Sequence, residues 1–360
     1  MWPAITRRGT YEEEHGMSQS ETLVSLANLK KYFPLTGGVF RKIIGMVHAV
    51  DDVSLDIYRG ETLGVVGESG CGKTTLGRTI LRLLEPTDGT ITFMGQDITH
   101  LKGSDLRNIR HEMQIVFQDP MASLDPRVTI KNTVGEPLLI NGIARGPKLR
   151  AMVLDLLQKV GLTEDHLNRF PHEFSGGQRQ RICIARALAL NPKFVVMDEP
   201  TSSTDVSVQA QTLNLMKDLQ DEFGLTYMFI SHNLSVVKHM SDRLAVMYLG
   251  KIVELTPYDI FRKALHPYTF ALVSAVPVPD PRFSGRAVLL KGEVPSPINP
   301  PIGCRFNPRC IFAQEICRTD EPPLRDVGDG HLVACHFAGE LDFGKSSQME
   351  YAQTAEAEAS

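Results

Sequence analysis

The sequence predicts an α/β fold, and three observations carry that expectation. Short apolar runs (Thr62–Val66, Phe194–Met197, Thr226–Ile230 and Leu244–Tyr248) have the character of strands covered on both faces. Segments with helical spacing of apolar residues fall between them, and a glycine-rich loop joins the first run to a helical segment. The bulk composition agrees: of 360 residues, 42% are hydrophobic and 22% charged, which suits a folded chain of roughly two domains on a prior of about 150 residues each.

Taken in order, Leu23–Leu29 and the alternating Val53, Leu55 and Ile57 read as strands separated by a Gly37-Gly38 turn. After the strand Thr62–Val66, residues Lys73 to Leu84 place Leu76, Ile80, Leu83 and Leu84 at helical intervals. Pro86 to Gly89 is a turn, and Thr90–Met94 and Met113–Phe117 read as further strands. The middle of the chain is mostly helical. Lys148–Val160 aligns Met152, Leu156 and Val160, and Arg179–Leu190 aligns Ile182, Ala185 and Leu188. Beyond about Arg262 the texture changes, because Pro277 to Pro308 is proline-rich, and a separate loop-rich unit is expected there. The last twenty residues are polar and acidic and read as a disordered tail.

The composition excludes several classes. No apolar run approaches the roughly 18–20 residues of a membrane-spanning helix. Arg7 and Arg8 are followed by Gly9, Thr10, Tyr11 and three glutamates where a signal peptide would have its apolar core, so no export is implied, and Met17 is an alternative start. A net charge of −4 argues against a broad nucleic-acid surface, so no nucleic-acid partner is expected.

Three motifs carry chemistry. Gly67, Glu68, Ser69, Gly70, Cys71, Gly72, Lys73, Thr74 and Thr75 fit G-x-x-x-x-G-K-[ST] between a strand and a helix, where backbone N–H groups and the helix N-terminus can hold phosphate oxygens. Lys73 then reaches the β- and γ-phosphates and the Thr74 hydroxyl meets Mg²⁺; the plain alternative is an ordinary glycine-rich turn. Asp198 and Glu199 end a buried strand, the first suited to the Mg²⁺ shell and the second to a base for an attacking water. Alone, they read equally well as a solvated acidic strand end. In Phe174-Ser175-Gly176-Gly177-Gln178, Ser175 can cap the following helix while the glycines expose its N–H groups, giving either a second phosphate-binding helix start or a capping motif without a ligand.

These motifs, with Gln118 in Phe117-Gln118-Asp119-Pro120 and His232 after Ser231, stand in the order found in ABC ATPases, and from about Leu23 to Arg262 the chain resembles an ABC transporter nucleotide-binding subunit. The resemblance implies a P-loop NTPase (RecA-like) ABC ATPase core with a β-rich N-terminal part and an α-helical subdomain. It also implies a cytoplasmic location, peripheral on the inner face of the cell membrane, and ATP and Mg²⁺ as ligands. The roles it implies are Lys73 and Thr74 on phosphate and Mg²⁺, with Gln118 and Asp198 also at the metal, Glu199 as base and His232 on the γ-phosphate. Ser175, Gly176, Gly177 and Gln178 would act in trans on the nucleotide of a second ATPase subunit. Phe33 is the adenine-stacking aromatic, with Tyr32 the alternative, and a core-packing role for Phe33 stays open. Two departures stand out: Phe174 replaces the commoner Leu, and Ser202-Ser203-Thr204-Asp205 replaces Ser-Ala-Leu-Asp, keeping the dimer-loop Asp205. The second change implies a weaker ATP dimer, testable by Thr204→Leu.

His266-Pro-Tyr-Thr-Phe-Ala-Leu272 and Gly303-Cys-Arg-Phe-Asn-Pro-Arg-Cys310, together with Val116–Leu124, resemble the ATPases of oligopeptide and dipeptide importers. The implied organisation is an N-terminal extension (1–20, disordered), a nucleotide-binding domain (21–264, helical subdomain about 119–190), the transporter C-terminal domain (265–340) and the tail (341–360). The implied partners are a second ATPase subunit (a heterodimer, with a homodimer open), two permease subunits and, indirectly, an extracellular or periplasmic peptide-binding protein. Cargo such as nickel, sugar or glutathione remains an alternative, as does a soluble ABC protein acting on nucleic acid or ribosomes. Cys304, Cys310, Cys317 and Cys335 are spaced by five, six and seventeen residues. Without a C-x₂₋₄-C pair, a [4Fe–4S] cluster fits better than zinc, and unligated or disulfide thiols are the third reading. Arg305, Arg309 and Arg318 are expected to favour thiolates. Cys71 is read as a small loop side chain and Cys183 as core.

Overall fold

A computed structural model describes residues 21–38, 42–201, 206–257, 260, 263–276, 290 and 292–343. The expected N-terminal extension, the dimer-loop residues 202–205 and the tail from 344 lie outside the described residues.

Among the described residues, twelve strands form two sheets. The first is antiparallel, with the order β2-β1-β4-β5, built from β1 (Thr22–Gly37), β2 (Lys42–Tyr58), β4 (Asp88–Phe93) and β5 (Gln96–Asp97). The second has the order β11-β12-β10-β9-β3-β8-β7-β6, in which β10 is Lys251–Thr256, β11 is Arg325–Asp326 and β12 is Leu332–Val333. Its parallel part consists of β3 (Thr62–Val66), β6 (Met113–Val116), β7 (Phe194–Asp198), β8 (Thr226–Ile230) and β9 (Arg243–Tyr248). Every residue of β3, β7 and β8 is buried, as strands flanked on both faces require. One core lies between the two sheets, where Leu26, Val53, Ile91 and Phe93 meet Leu63, Val65 and Leu76. The other joins the opposite face to the helices Ile130–Ile140, Gly146–Lys159 and Gly176–Leu188. The α/β expectation is borne out.

Where the structure departs from the sequence pattern, local backbone accounts for it. β1 and β2 run as 16- and 17-residue strands, longer than their alternation suggests, because the pairing slips at several bulges. Asn28 (φ 49°) and Asp52 (φ 57°) adopt left-handed backbone there, with Asn28 Nδ2 donating to Asp52 Oδ1 at 2.9 Å. The helix expected to reach Leu84 stops at Ile80, since Arg82 turns left-handed (φ 55°) and its buried Nε donates to the Ile98 carbonyl at 3.0 Å.

The C-terminal stretch does not stand beside the core. Through β11 (Arg325–Asp326) and β12 (Leu332–Val333) it extends the main sheet, with β12 pairing β10 (Lys251–Thr256) at Glu254↔Val333 and Leu255↔Leu332. No helix among the described residues is long and apolar enough to cross a membrane.

Candidate functional site

The strand β3 delivers the glycine-rich loop, and two glycines fix its path. At Gly67 (φ 150°) a Cβ would lie 2.1 Å from the Met247 carbonyl oxygen, and at Gly72 (φ 111°) 2.0 Å from that of Ala49. Only glycine fits either position. Gly72 also leads into the helix Lys73–Ile80 without a side-chain cap, so the first N–H groups of that helix remain suited to an anion. Lys73 is buried and donates from Nζ to the carbonyls of Gly67 (2.7 Å) and Glu68 (3.0 Å), folding its ammonium into the loop. Cys71 is buried beside it, and burial pushes its thiol up, in keeping with a small packed side chain.

The end of β7 meets this loop. Thr74 Oγ1 donates to Asp198 Oδ1 at 2.7 Å, which brings the two expected Mg²⁺ positions together. Asp198 is 1% exposed, and its desolvation raises the carboxyl's pKa against the opposing hydrogen bond from Thr74. A hydroxyl and a buried carboxylate in contact are a hard oxygen donor set, which fits Mg²⁺ and its retained waters.

Glu199 follows in left-handed backbone (φ 48°), an uncommon conformation for this residue, with its N–H bonded to the Ile230 carbonyl at 2.9 Å. Its Oε2 is the meeting point of the site: Gln118 Nε2 donates to it at 2.9 Å, and His232 Nδ1 lies 3.1 Å away. The carboxylate is largely covered while His232 projects, its side chain 61% exposed. The arrangement offers a held carboxylate that can take a proton from a water at the mouth of the phosphate loop.

Ser175 caps the helix Gly176–Leu188 as expected, in a reciprocal box in which Ser175 Oγ accepts from the Gln178 N–H at 3.3 Å and Gln178 Oε1 from the Ser175 N–H at 3.1 Å. Ser175 and Gly176 are exposed, whereas Gly177 is buried, and a Cβ there would meet Val208 Cγ1 at 2.4 Å. Phe174 is buried in the helical core, so its exchange for Leu is an apolar packing change. Tyr32 is engaged elsewhere: its hydroxyl donates to Asp51 Oδ1 and its ring lies 4.2 Å from that of His48. Phe33 is half-buried, with Lys31 Nζ 5.0 Å from its ring centroid.

Residues 50–202 match the family described as ABC transporter, and residues 253–317 that described as oligopeptide/dipeptide transporter, C-terminal region. The oligopeptide transport ATP-binding protein AppF of Bacillus subtilis is 52% identical over 324 residues, covering 89% of this chain and 98% of AppF. The chain belongs to the ABC transporter family. The dipeptide transport ATP-binding protein DppF of Haemophilus influenzae is 50% identical, again over 89% of this chain and 98% of the relative. The glutathione import ATP-binding protein GsiA of Pectobacterium atrosepticum is 50% identical over 89% of this chain and 49% of its own length. Among solved structures, a dimeric post-hydrolysis state of the ATP-binding cassette MJ0796 bound to ADP and Pi superposes with a TM-score of 0.58 at 30% identity, over 65% of this chain and 98% of that one. The chain is therefore an ABC-type ATPase, using ATP and Mg²⁺.

In this ABC ATPase the four C-terminal cysteines line one small cavity of ≈ 20 Å³, closed by Phe306, Phe312 and Phe337. Among the described residues, however, no three His, Cys, Asp or Glu side chains are arranged to hold a metal ion, so the geometry gives the cluster expectation no support. The expected effect of Arg305 and Arg309 is not seen. Burial pushes the Cys304 thiol up to about 11 and Cys310 up to about 12, while Arg305 and Arg309 turn away to pair with Asp51 and Glu68. Cys183 is core, its Sγ 3.2 Å from Ser123 Oγ.

Sequence reasoning missed the residues that bind the C-terminal stretch to the core. Glu254 on β10 is fully buried and accepts from the backbone N–H groups of Leu265 and His266, both at 2.9 Å, and from His331 Nε2 at 2.7 Å. A lone Glu inside the otherwise apolar run Ile252–Leu255 was the available signal.

Proposed function

We propose that this ABC ATPase energises import of di- and oligopeptides through a membrane transporter. The observation that carries the reading is the 52% identity to an oligopeptide transport ATP-binding protein over 98% of its length, including the C-terminal region. In this reading, the loop 67–75 and the N-terminus of helix Lys73–Ile80 bind the phosphates, with Lys73 leaving its carbonyl partners for the β- and γ-oxygens. Phe33 stacks on adenine, because Tyr32 is held by Asp51. Thr74, Asp198 and Gln118 would hold Mg²⁺, which neutralises phosphate charge when bound.

Glu199 then orients the attacking water and takes its proton. Gln118 and His232 fix the carboxylate through a shared oxygen, and His232 also faces the γ-phosphate. The exposed Ser175 and Gly176 close over the nucleotide of a second ATPase subunit, proposed to be a different chain. The subunit sits on the cytoplasmic face of the membrane against two permeases, which receive peptide from a binding protein. The exposed Leu139, Ile140 and Ile143 support a docked partner on the helical side.

The four thiols are proposed as ligands of a [4Fe–4S] cluster on their sequence spacing alone. Anaerobically purified protein containing neither iron nor zinc would end both metal readings. The relationship to GsiA favours a second cargo, glutathione, itself a small peptide.

Affinity purification of Glu199→Gln from mildly solubilised membranes with ATP tests the assignment. Two multi-spanning permeases are expected to accompany it. Recovery with ribosomes or DNA and no permease would leave the ATPase intact and refute transport.

A further inference from the structure

The segment between Cys304 and Cys310 carries Arg309, which is 7% exposed and reaches back across 241 residues of sequence to the phosphate loop. Its guanidinium forks onto both carboxylate oxygens of Glu68, Nη1 to Oε2 at 2.7 Å and Nη2 to Oε1 at 3.0 Å. The backbone N–H of Glu68 donates to the hydroxyl of Tyr268 at 2.8 Å, and its carbonyl accepts from Lys73. Residue 68 is thus held at three points, two of them supplied by the C-terminal stretch. Those two partners share a support. The ring of Tyr268 lies 4.7 Å from that of Tyr248 and 5.5 Å from that of Phe306, and the Arg309 guanidinium lies 5.9 Å from the Tyr248 ring centroid.

We propose that Arg309 and Tyr268 are positioning residues for ATP, through which the C-terminal region sets the affinity of the phosphate loop for nucleotide. The inference rests on reading 67–75 as the phosphate loop. Two physical effects carry it. A glycine-rich loop must hold its N–H groups inward to bind phosphate, and a bidentate guanidinium–carboxylate pair fixes geometry in a way a single contact does not. Glu68 also places a negative charge where a polyanion binds, and Arg309 neutralises it at close range in a largely dry setting. Without Arg309, the carboxylate both releases the loop and repels the phosphates.

The test is titration of the full chain with a fluorescent ATP analogue, alongside the KM and kcat of ATP hydrolysis. Arg309→Met is expected to weaken ATP binding about tenfold, as loss of a charged hydrogen-bonded partner implies, and to raise KM more than it lowers kcat. Arg309→Lys should recover part of the loss. Glu68→Gln added to Arg309→Met should recover part of it, because the uncompensated charge is then gone while the bidentate clamp is not restored. Tyr268→Phe, which keeps the ring and removes the hydroxyl, should weaken binding severalfold. Affinity in Arg309→Met within twofold of wild type overturns the proposal. So does a loss that Glu68→Gln fails to relieve, since a merely structural role predicts that pattern. Lys73→Ala separates the two levels: if it binds ATP normally, the phosphate-loop reading falls and the inference with it. If it loses ATP while Arg309→Met does not, the inference alone falls.

Discussion

Replacing Glu254 by Gln should cost this protein about 1–3 kcal/mol of stability, the range for leaving a buried hydrogen-bonding group unsatisfied. The figure follows from the contacts. Three N–H donors converge on one fully buried carboxylate: Leu265 N–H and His331 Nε2 on Oε1, and His266 N–H on Oε2. Glutamine has the same shape but offers one acceptor oxygen and one NH₂ group, so at least one donor must face another donor. That donor is the unsatisfied buried group. Urea unfolding of the full chain, followed by circular dichroism, reads the change as a lowered midpoint. Limited proteolysis should show cleavage first in the segment after β10, because the lost bonds anchor residues 265 and 266. Glu321→Gln is the control: Glu321 pairs with Lys251 on the same strand but is half-exposed, so its loss should stay within about 1 kcal/mol. A Glu254→Gln effect no larger than that of Glu321→Gln would refute the reasoning.

Acid should loosen the same region. Burial pushes His266 down to about 4, and its Nδ1 accepts from the Tyr268 N–H, which requires the neutral ring. A depressed histidine contributes stability that is present above its unfolded value of about 6.5 and lost as pH falls toward 4, up to about 3 kcal/mol. His266→Asn, which keeps a capping oxygen, should flatten that slope in urea titrations, and an unchanged slope would exonerate His266. Gly72→Ala would place a Cβ 2.0 Å from the Ala49 carbonyl oxygen at φ 111°, so ATP-analogue binding should fall at least about tenfold; normal affinity would show that the loop is not so constrained. Phe33→Ala should weaken binding by about 1–3 kcal/mol while Tyr32→Phe leaves it close to wild type, and the reverse ranking would move the adenine site to Tyr32.

The parts legible in the sequence were those written in neighbouring residues. β3, β7 and β8 appear as unbroken apolar runs because both of their faces are covered, and the phosphate loop and the Ser175 capping box are motifs a few residues long. Bulges hid the length of β1 and β2, since a left-handed residue at Asn28 or Asp52 breaks alternation without ending the strand. Pairings across long separations left no trace. Arg309 is indistinguishable in sequence from a solvated arginine, and its place beside Cys310 suggested an effect on the thiol that its actual partner, Glu68, removes. The convergence of Gln118 and His232 on one oxygen of Glu199 is a similar case: the residues could be named from the motif order, but their shared atom is a product of the fold.

ATP-driven uptake of a labelled peptide into cells lacking this chain, complemented with wild type or with Glu199→Gln, tests the central claim most directly. The account predicts that wild type restores uptake, whereas Glu199→Gln binds ATP, assembles with the permeases and restores none, with hydrolysis down about 10²–10⁴-fold. Uptake sustained by Glu199→Gln, or unaffected by the absence of the chain, would contradict it.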